Sequence, residues 1–370
     1  MVIKLSKDFI VEKDGKEFVD VVKILPEILP SGKKFSTKFL DETKVEIYIP
    51  SNGLGHDSKK FILNRFIELD DLFFEGLGLW EGEGGKGKGL YFGNSCLELI
   101  LHFLEFCEQK LGIERENFKV TVNISKITKG YDCLVEISKT LKIPLTNFTN
   151  FCYDLRLNYD YSQLYINGMI LLIILQSLHE RIKFLLTEKI EYSVPYLRGL
   201  FAAEGSVLLK KWGTISHLDF SSNDQNYIEF LRKILSRIDI QFGKYIENGR
   251  KIQIYNRKQF QKFKELKLHC LHPEKSKKFE RGFNNYKREV KKRPEMISSI
   301  LSCLSDGPKT YDNLTKELMK GRSTIQSHYI PIMEKKGFVR KCGKIKQAWL
   351  FEITEKGKDF LSSLNNKNRF

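Results

Sequence analysis

Two periodicities of apolar and polar residues take turns along this chain. Apolar positions three or four apart predict amphipathic helices over 96–113 (CLELILHFLEFCEQKLGI) and 226–240 (NYIEFLRKILSRIDI), and a further helix opens at 259–266. Strand-like runs occupy 89–95 (GLYFGNS), 118–125 (FKVTVNIS) and 216–224 (SHLDFSSND), and a hairpin over 243–256 turns at Asn248-Gly249. Two apolar-faced stretches, 133–143 and 166–186, read as helices in a connection over 126–190. Before residue 70 the pattern is mixed, with short strands at 3–5, 9–11, 18–22 and 44–49 broken by Pro26, Pro30, Gly32 and Pro50.

One pattern occurs twice. Residues 70–84 (DDLFFEGLGLWEGEG) and 193–205 (SVPYLRGLFAAEG) align without gaps, placing Gly78 on Gly199, Gly82 on Ala203, Glu83 on Glu204 and Gly84 on Gly205. Each copy reads as a helix, the first opened by Asp70 and Asp71, the second capped by Ser193 with Pro195 in its first turn. Small residues four apart leave one helix face bare, so two such helices can approach closely and bring Glu83 and Glu204 together. Carboxylates at helix C-termini lie in a negative field, which a cation relieves, and carboxylate with water suits magnesium. A weaker match pairs LYFGNS at 90–95 with LDFSSN at 218–223. Each half therefore runs helix, strands, helix, strands, helix.

These residues resemble the LAGLIDADG homing endonucleases, whose nine-residue motif falls here on 76–84 and 197–205. Gly76 departs from the motif's opening Leu, and Glu replaces the commoner Asp at both acid positions. The resemblance implies an α+β fold, a pseudo-twofold saddle of two αββαββα halves, and a double-strand cut with a staggered product. Glu83 and Glu204 would be the catalytic acids. With backbone oxygens near Gly82 and Ala203 they would hold two or three Mg²⁺ ions, for which Mn²⁺ can substitute. A basic residue assisting the water is also implied, with Lys275 or Lys277 as candidates.

Charge agrees with that partner. Lys and Arg number 62 against 46 Asp and Glu, a net +16, which favours a polyanion such as double-stranded DNA. Antiparallel strands with one face on the helices leave the other face for DNA. The candidates there are Lys119, Lys210, Lys211, Lys244, Arg250, Lys251 and Gln253. The run GGKGKG after Glu83 imitates a phosphate loop, and Gly82, Gly84 and Gly87 satisfy GxGxxG. It follows a helix instead of opening one, and Gly87 stands where a P-loop needs Ser or Thr. It reads as a basic loop whose Lys86 and Lys88 reach phosphates.

After the basic run at 287–293 (KREVKKR), the chain reads as helix (297–304), helix (311–319), helix (322–338), hairpin (339–354) and final helix (355–364). This order resembles a winged helix-turn-helix, with Ile325, Tyr329, Ile332 and Met333 inward and Arg322, Ser323, Gln326 and His328 outward. Pro331 is expected to kink the third helix. The expected divisions are 1–69, an arm with extra DNA contacts open to it; 70–190 and 191–290, the two halves; and 291–370, the winged helix.

Seven cysteines, at 96, 107, 133, 152, 270, 303 and 342, form no CxxC pair, which points to a reduced intracellular protein. His269, Cys270 and His272 lack a second ligand pair and read as structural. The start has no apolar signal core, and the longest greasy run, Met169 to Leu175, is too short to span a bilayer. A soluble, cytoplasmic monomer without membrane contact is expected. Two other readings stay open on the same fold: a non-cutting transcription regulator carrying a winged helix, and a maturase that binds intron RNA.

Overall fold

Short antiparallel strands come first in the computed structural model, which describes residues 8–29, 32–51, 56–85, 87, 89–125, 130–153, 159–243, 250–285 and 293–367. β1 (Ile10–Lys13) and β2 (Lys16–Asp20) form a hairpin turned by Asp14 and Gly15, both at positive φ. After a single-turn helix α1 (Val21–Ile24), β3 (Ser36–Phe39), β4 (Lys44–Tyr48) and β5 (Phe61–Asn64) make a second antiparallel sheet. β6 (Phe66–Glu68) returns to β2. The expected strands at 9–11 and 44–49 thus find partners; that at 18–22 does so only to Asp20, since Val21 and Val22 open α1, and 3–5 lies outside the described residues.

α2 (Asp71–Glu83) starts where expected, because the Asp70 carboxylate accepts the Phe73 N–H at 3.0 Å. The first half continues with β7 (Gly84–Gly85), β8 (Gly89–Asn94), α3 (Leu97–Phe106) ending in a π-turn (Cys107–Leu111), β9 (Lys119–Ile124), α4 (Gly130–Leu141), β10 (Phe148–Tyr153), β11 (Tyr161–Asn167) and α5 (Met169–Glu188). The sheet order is β10-β9-β11-β8-β7.

This corrects the connection expected over 126–190. β11 lies at the centre of the sheet, and its buried Ser162, Leu164 and Ile166 alternate with Tyr161, Gln163 and Tyr165. The polar Ser and Gln conceal that period two. β10 runs parallel to β9, and a parallel neighbour needs a crossover, which α4 supplies. The half therefore carries one helix more than αββαββα. α5 opens at Met169, after Gly168 at φ 141, so Ile166 and Asn167 belong to the strand.

The second half comprises α6 (Ile190–Glu204), β12 (Ser206–Leu209), β13 (Ile215–Ser221), α7 (Gln225–Arg237), β14 (Lys251–Ile254), α8 (Arg257–Glu265) and α9 (Pro273–Asn284). Its strands order β12-β13-β14, and the Gly243 N–H donates to Gln253 O at 2.8 Å alongside β14. The Asn248-Gly249 turn lies outside the described residues. Ser193 does not cap α6, which begins earlier: its hydroxyl donates to Leu186 O and Lys189 O. Pro195 consequently lies inside the helix and gives up the bond to the Glu191 carbonyl.

α2 and α6 form the centre of this unit. A β-carbon on Gly78 would lie 2.2 Å from Tyr196 O, and one on Gly199 would lie 2.1 Å from Glu75 O, so the two backbones touch. Gly76, the motif's departure, faces Phe106: a β-carbon there would fall 2.2 Å from the ring. A buried polar chain ties the neighbouring helices to the pair. His179 Nδ1 lies 3.4 Å from Glu81 Oε2, His179 Nε2 lies 2.8 Å from Tyr196 Oη, and Tyr196 Oη lies 2.8 Å from Tyr227 Oη.

The chain divides into two compact units, the first reaching Leu209 and resuming over Ile215–Phe283, the second comprising Lys210–Thr214 and everything from Asn284. In the second, α10 (Arg293–Ser305), β15 (Lys309–Thr310), α11 (Tyr311–Leu318), α12 (Arg322–Thr324), α13 (Ile330–Lys335), β16 (Val339–Ile345), β17 (Ala348–Ile353) and α14 (Glu355–Lys367) follow in order, with sheet order β15-β17-β16. Met296, Ile300, Leu301, Leu314, Ile325, Met333 and Phe351 are in its core. A π-turn over Ile325–Tyr329 separates α12 from α13 and stands where a kink at Pro331 was expected. The wider turn makes room for a proline ring that would otherwise meet the carbonyl four residues back. It also shifts the phase, so Ile330 is fully buried and Ile332 only partly. Among the described residues, no helix is long and apolar enough to cross a membrane.

Candidate active site

The ends of α2 and α6 gather the candidate chemistry. Gly82 and Ala203 are in contact, a β-carbon on Gly82 falling 2.4 Å from Ala203 Cβ and 3.0 Å from Glu204 Cγ. Glu83 and Glu204 follow them at the helix termini. Glu83 is half-buried and its Oε1 accepts the Asn94 Nδ2 at 3.1 Å. Burial, then the Glu204 carboxylate, push Glu83 up to about 7, against the pull of Lys275 and Asn94. Glu204 stands more open to solvent and is also raised, by burial of its carboxylate, with Lys275 opposing.

Lys275 comes to the same place on α9. Its Nζ donates to Ala202 O at 2.6 Å, Ala203 O at 2.7 Å and Phe201 O at 3.3 Å, which caps the C-terminus of α6. Burial brings it down to about 8, although Glu83 and Glu204 both favour its charge. Of the two lysines singled out, Lys275 therefore meets the acids. Lys277 is exposed and lines a different pocket with Cys96, Glu98 and His272.

Beside Glu204 opens a cleft of about 500 Å³ lined by Glu81, Gly82, Ser221, Asn223, Asp224 and Arg250, among others. Arg250 thus shares a cleft with Glu204. Lys251 and Gln253 project from β14 opposite the buried Ile252 and Ile254, on the sheet face away from the helices. Lys119 takes the same place on β9, opposite Val120 and Val122. Lys210 and Lys211 are exposed in the turn between β12 and β13, which groups with the second unit. Arg322, Ser323 and Gln326 are exposed on α12 and the π-turn, and Arg322 bonds Asp312 at 3.0 Å and Gln326 at 3.3 Å. Lys86, Lys88 and Lys244 lie outside the described residues.

Three features escaped the sequence reading. Asn94 holds Glu83; it stands in the LYFGNS match, which was read for its strand alone. Tyr161 feels Glu83 and is raised by burial and by that charge. On the open face of the first sheet, Tyr91 and Tyr165 stack with centroids 5.7 Å apart, and Thr149 Oγ1 lies 2.7 Å from Tyr165 Oη. His269, by contrast, is buried against Phe279 and pairs with Glu280 at 3.0 Å.

Residues 191–267 match the family model described as LAGLIDADG-like domain. No curated protein matches the chain. Among solved structures, mesophilic variants of the homing endonuclease I-DmoI are 17% identical, covering 56% of this chain and 97% of that one, with a TM-score of 0.36. An I-DmoI variant in complex with its target DNA and manganese is 15% identical, covering 53% and 93%, with a TM-score of 0.34. Full-length DUF199/WhiA from Thermatoga maritima is 14% identical, covering 75% and 94%, with a TM-score of 0.37. Likenesses of this size fix no activity.

The donors gathered here suit a hard cation. Two carboxylates that hold protons more tightly than usual, together with helix-terminal carbonyl oxygens, form an all-oxygen set. Among the described residues, however, no group of three or more His, Cys, Asp and Glu side chains is arranged to hold a metal. The carbonyl of Ala203 is already bonded to Lys275. Glu83 and Glu204 have the chemistry for such an ion, and the Ala203 carbonyl would be available to it once that lysine leaves.

Proposed function

We propose that this chain is a Mg²⁺-dependent DNA endonuclease that cuts both strands of a duplex at a specific site. The observation that carries the reading is the meeting of Glu83 and Glu204 at one end of a helix pair in backbone contact, with each acid's proton affinity raised. Divalent ions there, Mg²⁺ or Mn²⁺, would activate water and neutralise the leaving oxygen. The chain's own part is to fix the acids through Gly78, Gly82 and Gly199, to hold Glu83 by Asn94, and to keep a cation, Lys275, within reach of both acids.

The open sheet faces offer DNA a polar, partly basic surface through Lys119, Lys251 and Gln253, with Arg250 in the cleft that Glu204 lines. We read the second unit as a winged helix-turn-helix that also contacts DNA. Residues 284–370 hold 19 Lys and Arg against 9 Asp and Glu, so much of the net +16 lies there. Arg322, Ser323 and Gln326 would face the major groove. On the β16–β17 hairpin, Lys344 Nζ lies 4.0 Å and Lys341 Nζ 5.2 Å from the half-exposed Trp349 ring, an addition to the contacts expected from sequence.

A second reading is a DNA-binding regulator that does not cut, and the bond between Lys275 and Ala203 O favours it, since an ammonium occupies an oxygen the metal would use. Cleavage of a randomised duplex library with Mg²⁺ separates the two, with the Glu83→Gln, Glu204→Gln double variant as control. A unique site cut with a short stagger, and lost in the control, supports the nuclease. Selective binding without cutting in Mg²⁺ or Mn²⁺ refutes it in favour of the regulator. Tighter binding of structured RNA than of duplex DNA would refute both in favour of an RNA-binding role.

A further inference from the structure

The acid pair already has a cation beside it, and its bonding is specific. An ammonium has three N–H donors. In Lys275 they meet three successive carbonyls, those of Phe201, Ala202 and Ala203, at 3.3, 2.6 and 2.7 Å. These belong to the last turn of α6, the negative end of that helix. Lys275 is carried by α9, a separate element more than 70 residues away, so the contact is tertiary. The two helix ends differ in this respect: at the end of α2, the group that meets Glu83 is the neutral amide of Asn94.

We propose that Lys275 is a built-in competitor for the divalent cation, occupying the α6 carbonyls so that a metal binds there only when the lysine side chain leaves. This rests on the reading of Glu83 and Glu204 as the metal-holding pair, but not on cleavage. A carbonyl oxygen has two lone pairs, but an ammonium at 2.7 Å and Mg²⁺ at ~2.1 Å on one oxygen are two cations held close together, and their repulsion makes them competitors. The lysine also gives the acid pair a counter-charge, so the fold tolerates two adjacent carboxylates. Metal entry is then an exchange of one cation for another, and its affinity is set by what Lys275 loses.

The test is Mn²⁺ binding by calorimetry at pH 7.5 to the full chain, to Lys275→Met and to Glu204→Gln. Met keeps most of the stem and removes the charge. Alongside it, the wild-type chain is exposed to an amine-acylating reagent with and without Mn²⁺, and modification at Lys275 is read by mass spectrometry. We expect Lys275→Met to bind Mn²⁺ at least about tenfold more tightly, equivalent to ~1.4 kcal/mol, and Lys275 in the wild type to become several-fold more reactive when Mn²⁺ is bound. If Lys275→Met does not fold, the acylation of the wild type decides alone. Equal Mn²⁺ affinity in both chains with unchanged acylation, while Glu204→Gln abolishes binding, overturns the competition and leaves the acid-pair metal site standing. Absence of Mn²⁺ binding from every chain overturns the metal site and the nuclease reading with it.

Discussion

Gly199→Ala tests the helix pair directly. The added β-carbon would lie 2.1 Å from Glu75 O and 2.9 Å from its carbonyl carbon and Cα. All three are backbone atoms of α2, so no change of rotamer relieves the contact. Ordinary contact between such atoms needs ~3.5 Å, so the helices must part by about 1 Å along this face. Overpacking of a core costs ~1–3 kcal/mol, and a collision with rigid backbone belongs at the upper end. Alanine recovers ~1 kcal/mol through its better helix propensity. The net cost is ~2 kcal/mol, which at ~2–4 °C per kcal/mol for a unit of this size lowers its melting temperature by ~4–8 °C. Gly87→Ala is the matched control, since a β-carbon there meets nothing within 4 Å, and it should leave stability unchanged or slightly raised. Differential scanning calorimetry of the full chain reads both. A Gly199→Ala chain melting within about 1 °C of wild type would refute backbone contact between α2 and α6.

The other predictions concern the acids and the second unit. Gly82→Ala meets Ala203 Cβ at 2.4 Å, which is fixed to the α6 backbone, and Glu204 Cγ at 3.0 Å, so it should lower the melting temperature, displace Glu204 and cut Mn²⁺ affinity by about tenfold or more; unchanged affinity would count against it. Because Glu83 is raised from 4.5 to about 7, it must lose a proton to take a metal below that pH, and Mn²⁺ affinity should fall by about fivefold from pH 7 to 6; a flat calorimetric profile would contradict this. The same shift sets a stability trend: the protonated acid favours the fold, a contribution full below 4.5 and lost as pH rises through about 7. Glu83→Gln should therefore raise the melting temperature in EDTA at pH 8 and have little effect at pH 5, and the reverse order would show the sign to be wrong. Ile325→Ala empties a fully buried position of the second unit and should cost ~2–5 kcal/mol, visible as a lowered transition for that unit alone; a matching shift in the first unit's transition would mean that the two melt together.

The helix pair was legible because its signal is local and repeated. Small residues at 78, 82, 199 and 203, acids at 83 and 204 and glycines behind them lie within two short windows, and Gly78 and Gly199 make the close approach that their spacing implies. The links were harder to read. β11 carries Ser162 on its buried side and Tyr161 and Tyr165 on its open one, so hydrophobicity did not mark which face was core. β10 pairs in parallel across a crossover, a partnership that no turn residue announces. Ser193 looked like a cap because it precedes a proline, yet α6 had already begun at Ile190. In the site, Lys275 and Asn94 reach the acids across distances in sequence that no spacing rule covers. Lys275 could be named only as one of two lysines, and geometry separates it from Lys277.

One residue, Lys189, stands between the end of α5 at Glu188 and the start of α6 at Ile190. α5 closes the first half and α6 is the core helix of the second, so this joint has the play of a single pair of backbone torsions. It is also clamped from outside, since both Lys189 and Tyr192 bond to Glu17 on β2. Because α6 starts one residue after α5 ends, the direction of α6, and with it the place of Glu204 at its far end, is set by the joint and by the strand that holds it. For anyone wishing to split the protein into two co-expressed fragments, this joint is the place to avoid, because a break there would free the helix that ends in Glu204 from the helix that precedes it.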